Sequence, residues 1–143
     1  MSHDIIVVAS DLSGASDRVV RTAGELASAL TARIVAVHVL TDARLKELQE
    51  TLPHESMSVD AVLDRLRLDL DEQLLRETRG IETSTEIVIG HEAPNVLAIA
   101  RDRNADLLVI GIRNRSRIGK LITGSVTQEL LLDSTCPVVA VPT

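Results

Sequence analysis

Apolar residues in this chain recur in two periods: short runs of Val, Ile and Leu alternate with stretches in which apolar positions return every three or four residues. The run Ile5-Ile6-Val7-Val8-Ala9, stopped by Asp11-Leu12-Ser13-Gly14, predicts a first strand over 4–10 that is apolar on both faces. Val19, Val20, Ala23, Leu26, Ala27 and Leu30 then follow helical spacing, with Ser16 placed to cap the helix. Residues 33–40 predict a second strand with His38 near its end. Over 41–57 the pattern weakens and Pro53 interrupts it; Leu45 and Leu48 support a helical turn or two in what reads as the most mobile segment. Ser58 opens the longest helix, with Val59, Val62, Leu63, Leu66, Leu70 and Leu74 on one stripe and Gly80 as its stop. A strand over 83–89 nearer an edge, a helix over 94–103, a strand over 106–111, a helix over 125–134 and a strand over 137–141 complete the chain.

Strands alternating with helices throughout indicate an α/β domain with a largely parallel sheet and helices on both faces. Two windings, 2-1-3-4-5 and 3-2-1-4-5, satisfy the pattern equally. At 143 residues the chain is expected to be one domain, 1–143, able to bury a core without disulfides or metal. A formal charge of −6 repels phosphate backbones, and the absence of Phe, Trp and Tyr removes platforms for stacking bases, so nucleic acid is not an expected partner. The lone Cys136 has no internal partner, the first residues lack an export signal, and no apolar run approaches the roughly 20 residues of a membrane helix; a reducing cytoplasm and no membrane are expected.

The chemistry concentrates in one stretch. Leu107-Leu108-Val109-Ile110 leads into Gly111, then Arg113, Arg115, Arg117 and Lys120, then Gly124-Ser125 at the start of a helical pattern. A strand, a cationic loop and a helix start with small residues make an anion site, because uncapped N–H groups and the helix dipole both favour phosphate. It is not a P-loop: Asn114 stands at the first glycine position of that motif, and Leu121 stands where Ser or Thr would hold magnesium.

The stretch resembles the loop of the universal stress protein family, G-x2-G-x9-G-[ST]: Gly111 and Gly124-Ser125 keep the spacing, and Asn114, a residue tolerant of positive φ, replaces the second glycine. Ser10-Asp11-Leu12-Ser13, His38-Val39 and Cys136-Pro137-Val138 extend the resemblance over the whole chain. It implies an open five-stranded parallel sheet in the order 3-2-1-4-5, with a ligand crevice between strands one and four. It also implies an adenine nucleotide, ATP above all, with any magnesium carried by the phosphates. Ala9 and Asp11 would meet adenine and ribose, and Val39 would line the adenine pocket. Ile110 and Gly111 would lie near the ribose, Asn114 near the phosphates, and Gly124, Ser125, Val126 and Thr127 around them. A homodimer through the C-terminal strand is implied as well, and an unprotected valine-rich edge invites such pairing.

Each residue also has a plainer reading. Asp11 suits an Asx-turn, the arginines a solvated loop, Gly124-Ser125 a simple cap, His38 strand-end packing and Cys136 a buried core thiol. His3, His38, His54 and His91 lack zinc spacing, and no nucleophile–base set or paired carboxylates can be assigned. Catalysis is therefore not expected. Two functions remain: a nucleotide-dependent stress-response regulator, whose loop would be ordered by polyphosphate to change a partner or dimer surface, or a dimeric interaction module without nucleotide, which Asn114 favours. A nucleotide hydrolase or transferase is the weakest reading.

Overall fold

Ile6, Val7 and Val8 retain no exposed surface, as a β-branched run demands when both faces of its strand are covered. In a computed structural model, which describes residues 4–51, 57–113 and 124–143, this run is β1 (Ile5–Ala9). It is followed by α1 (Ser16–Leu30), β2 (Arg33–Leu40), α2 (Asp42–Glu50) and α3 (Val59–Glu77). Then come β3 (Thr83–Ile89), α4 (Glu92–Asp102), β4 (Leu107–Ile112), α5 (Ser125–Asp133) and β5 (Val138–Pro142). The strands form one five-stranded sheet in the order β3-β2-β1-β4-β5, parallel at every pairing. Of the two windings the sequence pattern permits, this is the one implied by the family resemblance.

The period of two along β1 separates two cores. Ile6 and Val8 pack with Ile34, Ala36 and Val109 beneath Val19, Val20, Ala23 and Ala27 of α1 and Leu70 and Leu74 of α3. Ile5 and Val7 face the other way, with Val35, Val37, Leu108 and Ile110, against Ala93, Val96 and Ala100 of α4 and Leu130 of α5. Burying each such side chain contributes about 1.5–3 kcal/mol. Asp106 ties the central pair together, its Oδ2 accepting from Ile5 N at 2.8 Å while its own N–H donates to Ile5 O at 2.8 Å. Among the described residues no helix is long and apolar enough to cross a membrane.

Some local expectations are corrected. Ser16 is not the cap of α1: Ala15 holds that position without a side-chain hydrogen bond, and the Ser16 hydroxyl turns inward to donate to Ser13 O at 2.7 Å. The weak segment after β2 forms a nine-residue helix, α2, capped by Thr41; it buries no side chain, which is why its pattern is faint. Pro53 and His54 lie outside the described residues, so the mobility expected there concerns residues only partly described. On α3, Val59 is 39% exposed and Gln73 is buried in its stead, so the stripe facing the core is partly polar. That helix ends at Glu77, before Gly80, where the Thr78 hydroxyl donates to Leu74 O at 2.7 Å. The helix expected from Pro94 starts at Glu92, with proline in the first turn, where a missing N–H costs no intrahelical bond. Cys136 is half-buried at the rim of the second core, not a fully buried thiol.

β3 and β5 are the edges. Gly90, just past β3, has φ 146°, and a Cβ there would stand 2.8 Å from Asn95 Nδ2; its N–H donates to Leu40 O at 2.9 Å, closing the β2–β3 ladder. Gly90→Ala should lower unfolding stability by about 1–3 kcal/mol, read by urea denaturation followed in far-ultraviolet circular dichroism. No measurable loss would show that the turn accommodates a side chain.

Candidate functional site

In an open parallel sheet, two neighbouring strands whose connections leave in opposite directions have loops that part and leave a crevice at their C-terminal ends. Here the strands are β1 and β4. The turn after β1 carries Asp11, 50% exposed at the side chain, and the segment after β4 carries Arg113, 60% exposed; Arg113 Nη2 lies 3.8 Å from Asp11 Oδ2. The two segments expected to share a ligand therefore do meet at their first described residues.

The Asp11 turn has a defined internal geometry. Asp11 Oδ1 accepts from Ser13 N at 2.9 Å and from Ser13 Oγ at 2.6 Å, which is the Asx-turn of the plainer reading. This occupies only one carboxylate oxygen and leaves Oδ2 directed at the crevice. Between them Leu12 is held at φ 62°, a conformation rarely adopted outside glycine. Its N–H donates to Ser10 Oγ at 3.1 Å. Behind the turn, His38 is 9% exposed and its Nδ1 lies 2.8 Å from Ser10 O; a carbonyl only accepts, so Nδ1 carries the proton. His38 is thus a support for the turn as well as a packing residue.

Ala9, Val39 and Ile110 lie on one sheet face, the face covered by α4 and α5. Ala9 and Val39 are only partly buried there, joined by Ile112 at the end of β4, whereas Ile110 is 2% exposed. Ala9, Val39 and Ile112 form an apolar shelf, and Ile110 lies in the core below it. Gly111 serves packing on the opposite face: a Cβ there would stand 2.9 Å from Val19 Cγ2 and 3.3 Å from Thr143 Cγ2.

Because β4 and β5 are parallel, α5 must run back between them, which puts its N-terminus at the crevice end of the sheet. Gly124 caps that helix with no side-chain hydrogen bond, and a Cβ on it would meet nothing within 4 Å. Ser125 and Val126 are exposed and Thr127 is half-buried. Asn114, Arg115, Arg117 and Lys120 lie outside the described residues. Among the described residues no group of three or more His, Cys, Asp or Glu is placed to hold a metal ion.

Glu92 was not legible as a site residue. It begins α4, and an acid in the first turn of a helix ordinarily reads as a partner for the dipole. Although the residue as a whole is exposed, partial desolvation of its carboxyl at the helix start pushes it above the ordinary value, the Asp11 charge adds to this, and His38 opposes it. At Asp11 burial also works upward, but the hydrogen bonds from the Ser13 side chain and backbone, aided by Ser16 and the Arg113 charge, outweigh it and hold the carboxyl below the ordinary value. Two carboxylates in one crevice are thereby driven apart in acidity.

The Universal stress protein family model matches residues 3–142. A universal stress protein of Mycolicibacterium smegmatis is 40% identical over 67 residues, 47% of this chain and 45% of that protein, so the match spans less than half of that relative. Among solved structures, a universal stress protein in complex with cAMP aligns at TM-score 0.66 and 24% identity, covering 99% of this chain and 98% of the other. The universal stress protein from Archaeoglobus fulgidus in complex with dAMP aligns at TM-score 0.59 and 23% identity, covering 97% of each. These likenesses establish a shared fold.

The two carboxylates predict opposite pH behaviour. Asp11, depressed in the folded state, contributes stability that is present above about pH 4 and lost as pH falls through its folded value; Asp11→Asn should therefore destabilise near neutrality, with a deficit that closes in acid. Glu92, raised in the folded state, imposes a penalty that is absent below about pH 4 and grows as pH rises through its folded value; Glu92→Gln should be the more stable protein near neutrality, with its advantage gone in acid. Thermal melts across that range check both signs, and like-signed effects would show that the two carboxyls are not shifted in opposite directions.

Proposed function

The chain belongs to the universal stress protein family, and from that premise we propose that it binds an adenine nucleotide, ATP being the first to test, in the crevice between β1 and β4. The observation that carries this is Asp11: one carboxylate oxygen is consumed by its own turn, and the other, at the winding reversal, has among the described residues only a 3.8 Å ion pair with the exposed Arg113. A free carboxylate oxygen accepts from ribose hydroxyls or from the exocyclic amine of adenine. Ala9 and Val39 offer the base an aliphatic surface in a chain without aromatic residues. Ile110 supports that surface from below and offers the ligand its backbone, as does Gly111. The uncapped start of α5, with Gly124, Ser125, Val126 and Thr127, suits phosphate, and Asn114 belongs beside it. Any magnesium travels with the phosphates. The cAMP and dAMP complexes of the neighbours support the class of ligand.

In this reading residues 1–143 act as one domain in a reducing cytoplasm, binding nucleotide without turning it over and passing occupancy to a protein partner. Purified protein should carry or take up ATP. A purine absorption band that follows the chain through gel filtration is easily seen, because the sequence has no Trp or Tyr to mask it. Asp11→Ala should weaken ATP binding at least about tenfold in calorimetry, the usual loss when a charged hydrogen bond is removed. A wild-type chain that neither carries nor binds nucleotide would leave the interaction module as the function.

A homodimer through β5 belongs to the same proposal. That strand is an open edge, and α5 before it exposes Leu131 at 43% and Leu132 at 81%. Sedimentation at micromolar concentration should show a dimer that Ala140→Pro converts to monomer, because the Ala140 N–H faces the open edge while those of residues 139, 141 and 143 are spent on β4. A monomeric wild type would defeat the proposal.

A further inference from the structure

Beneath the Asp11 turn lies a chain of buried polar side chains that the ligand contacts do not explain. Ser10 and Ser16 are each 4% exposed and Gln73 of α3 is 3% exposed. Gln73 is separated from Ser10 by 63 positions in sequence, yet its Oε1 accepts from Ser10 Oγ at 2.6 Å. Its amide nitrogen donates to Ser16 Oγ at 2.8 Å and to Asp17 Oδ1 at 2.9 Å. Asp17 also receives Arg76 Nη2 at 2.9 Å.

The protons of this chain run in one direction only. An ionised Asp17 accepts and cannot donate, so it requires the amide nitrogen of Gln73 on its own side and the amide oxygen toward Ser10. Ser10 has a single hydroxyl proton, which goes to that oxygen, leaving its lone pairs for the Leu12 N–H at 3.1 Å. The Ser16 proton goes to Ser13 O, so its lone pairs are free for Gln73. Leu12, at positive φ, therefore depends on an acceptor, Ser10 Oγ, and the Ser13 carbonyl on a donor, Ser16 Oγ, and both hydroxyls are hydrogen-bonded to one glutamine on a distant helix.

We infer that Gln73 is the positioning residue of the ligand turn: through Ser10 and Ser16 it holds Leu12 and Ser13 where they present the Asp11 carboxylate to the crevice, and so links α3 to ligand affinity. This rests on the reading of Asp11 as a ligand contact. Gln73 itself touches no ligand. An apolar residue of the same length would fill its volume but remove the 2.6 Å acceptor of Ser10, turning that hydroxyl toward Ser16 Oγ at 3.2 Å, and would take from Ser16 the amide donor it receives. Packing and positioning are thereby separable.

The test uses Gln73→Met and, as a smaller perturbation that keeps the fold if the first does not, Ser10→Ala, each in the wild-type and the Asp11→Ala background. Two readouts are taken: ATP affinity by calorimetry and the titration of the Asp11 carboxyl carbon by NMR. The expected result is an affinity loss of about tenfold in the wild-type background and almost none in the Asp11→Ala background. The Asp11 titration should move up toward the ordinary aspartate value, because the released turn no longer holds the Ser13 donors on the carboxylate. An equal loss in both backgrounds, or an unmoved Asp11 titration in a folded variant, would overturn the inference and leave Gln73 a packing residue. If wild-type protein binds no ATP, the nucleotide reading fails by itself, and the Asp11 titration alone decides whether Gln73 positions the turn.

Discussion

The arrangement depends on β1 being buried on both faces in the middle of a parallel sheet. A strand with no exposed face must be covered by helices above and below, and parallel neighbours require crossovers long enough to be those helices. With α1 and α3 on one side and α4 and α5 on the other, the connections of β1 and β4 leave in opposite directions. The crevice is where the two coverings part. Aliphatic burial thus places the site, and the residues in it adjust only what the site accepts.

The chemistry of the crevice follows from how few groups remain uncommitted there. Asp11 uses one oxygen to hold its own turn and turns the other toward the exposed Arg113, so the structural and the ligand-binding readings of this residue are two halves of one carboxylate. Glu92, across from it, is pushed the opposite way in acidity by burial and by the Asp11 charge. A site with one carboxyl held below its ordinary value, one pushed above it and an exposed arginine is suited to ligands that bring both donors and negative charge, as nucleotides do. With no aromatic rings in the chain, the proposed binding of a base would rest on aliphatic contact area.

Support for the turn comes from far along the chain. His38 at the end of β2 and Gln73 on α3 both act on Ser10, one at its carbonyl and the other at its hydroxyl. A residue at positive φ such as Leu12 persists only where its surroundings over-determine it, and these contacts supply that constraint. The inward turn of Ser16 belongs to the same arrangement: buried donors and acceptors must be paired, and pairing with Gln73 and Ser13 takes precedence over capping α1.

Period-two and period-3.6 apolar patterns, read along the chain, were enough to locate the strands and the main helices, because burial of aliphatic side chains is what those periods record. The Asp11 turn was legible for a similar reason: backbone geometry and short polar side chains act locally; most of the loop expected between Gly111 and Gly124 lies outside the described residues. The segment after β2 was read only faintly, since a helix that buries nothing leaves no apolar period. The strand order was not settled from periodicity, because a period records burial within one element and not which strand lies beside it, and it took the family resemblance to choose between the two windings. Glu92 and Gln73 were invisible in the sequence, one resembling an ordinary helix-start acid and the other a polar interruption in an apolar stripe. Their roles exist only after α3 and α4 pack on opposite faces and bring them to the end of β1, since hydrogen bonds and charge interactions depend on distance in space, which spacing along the chain does not encode.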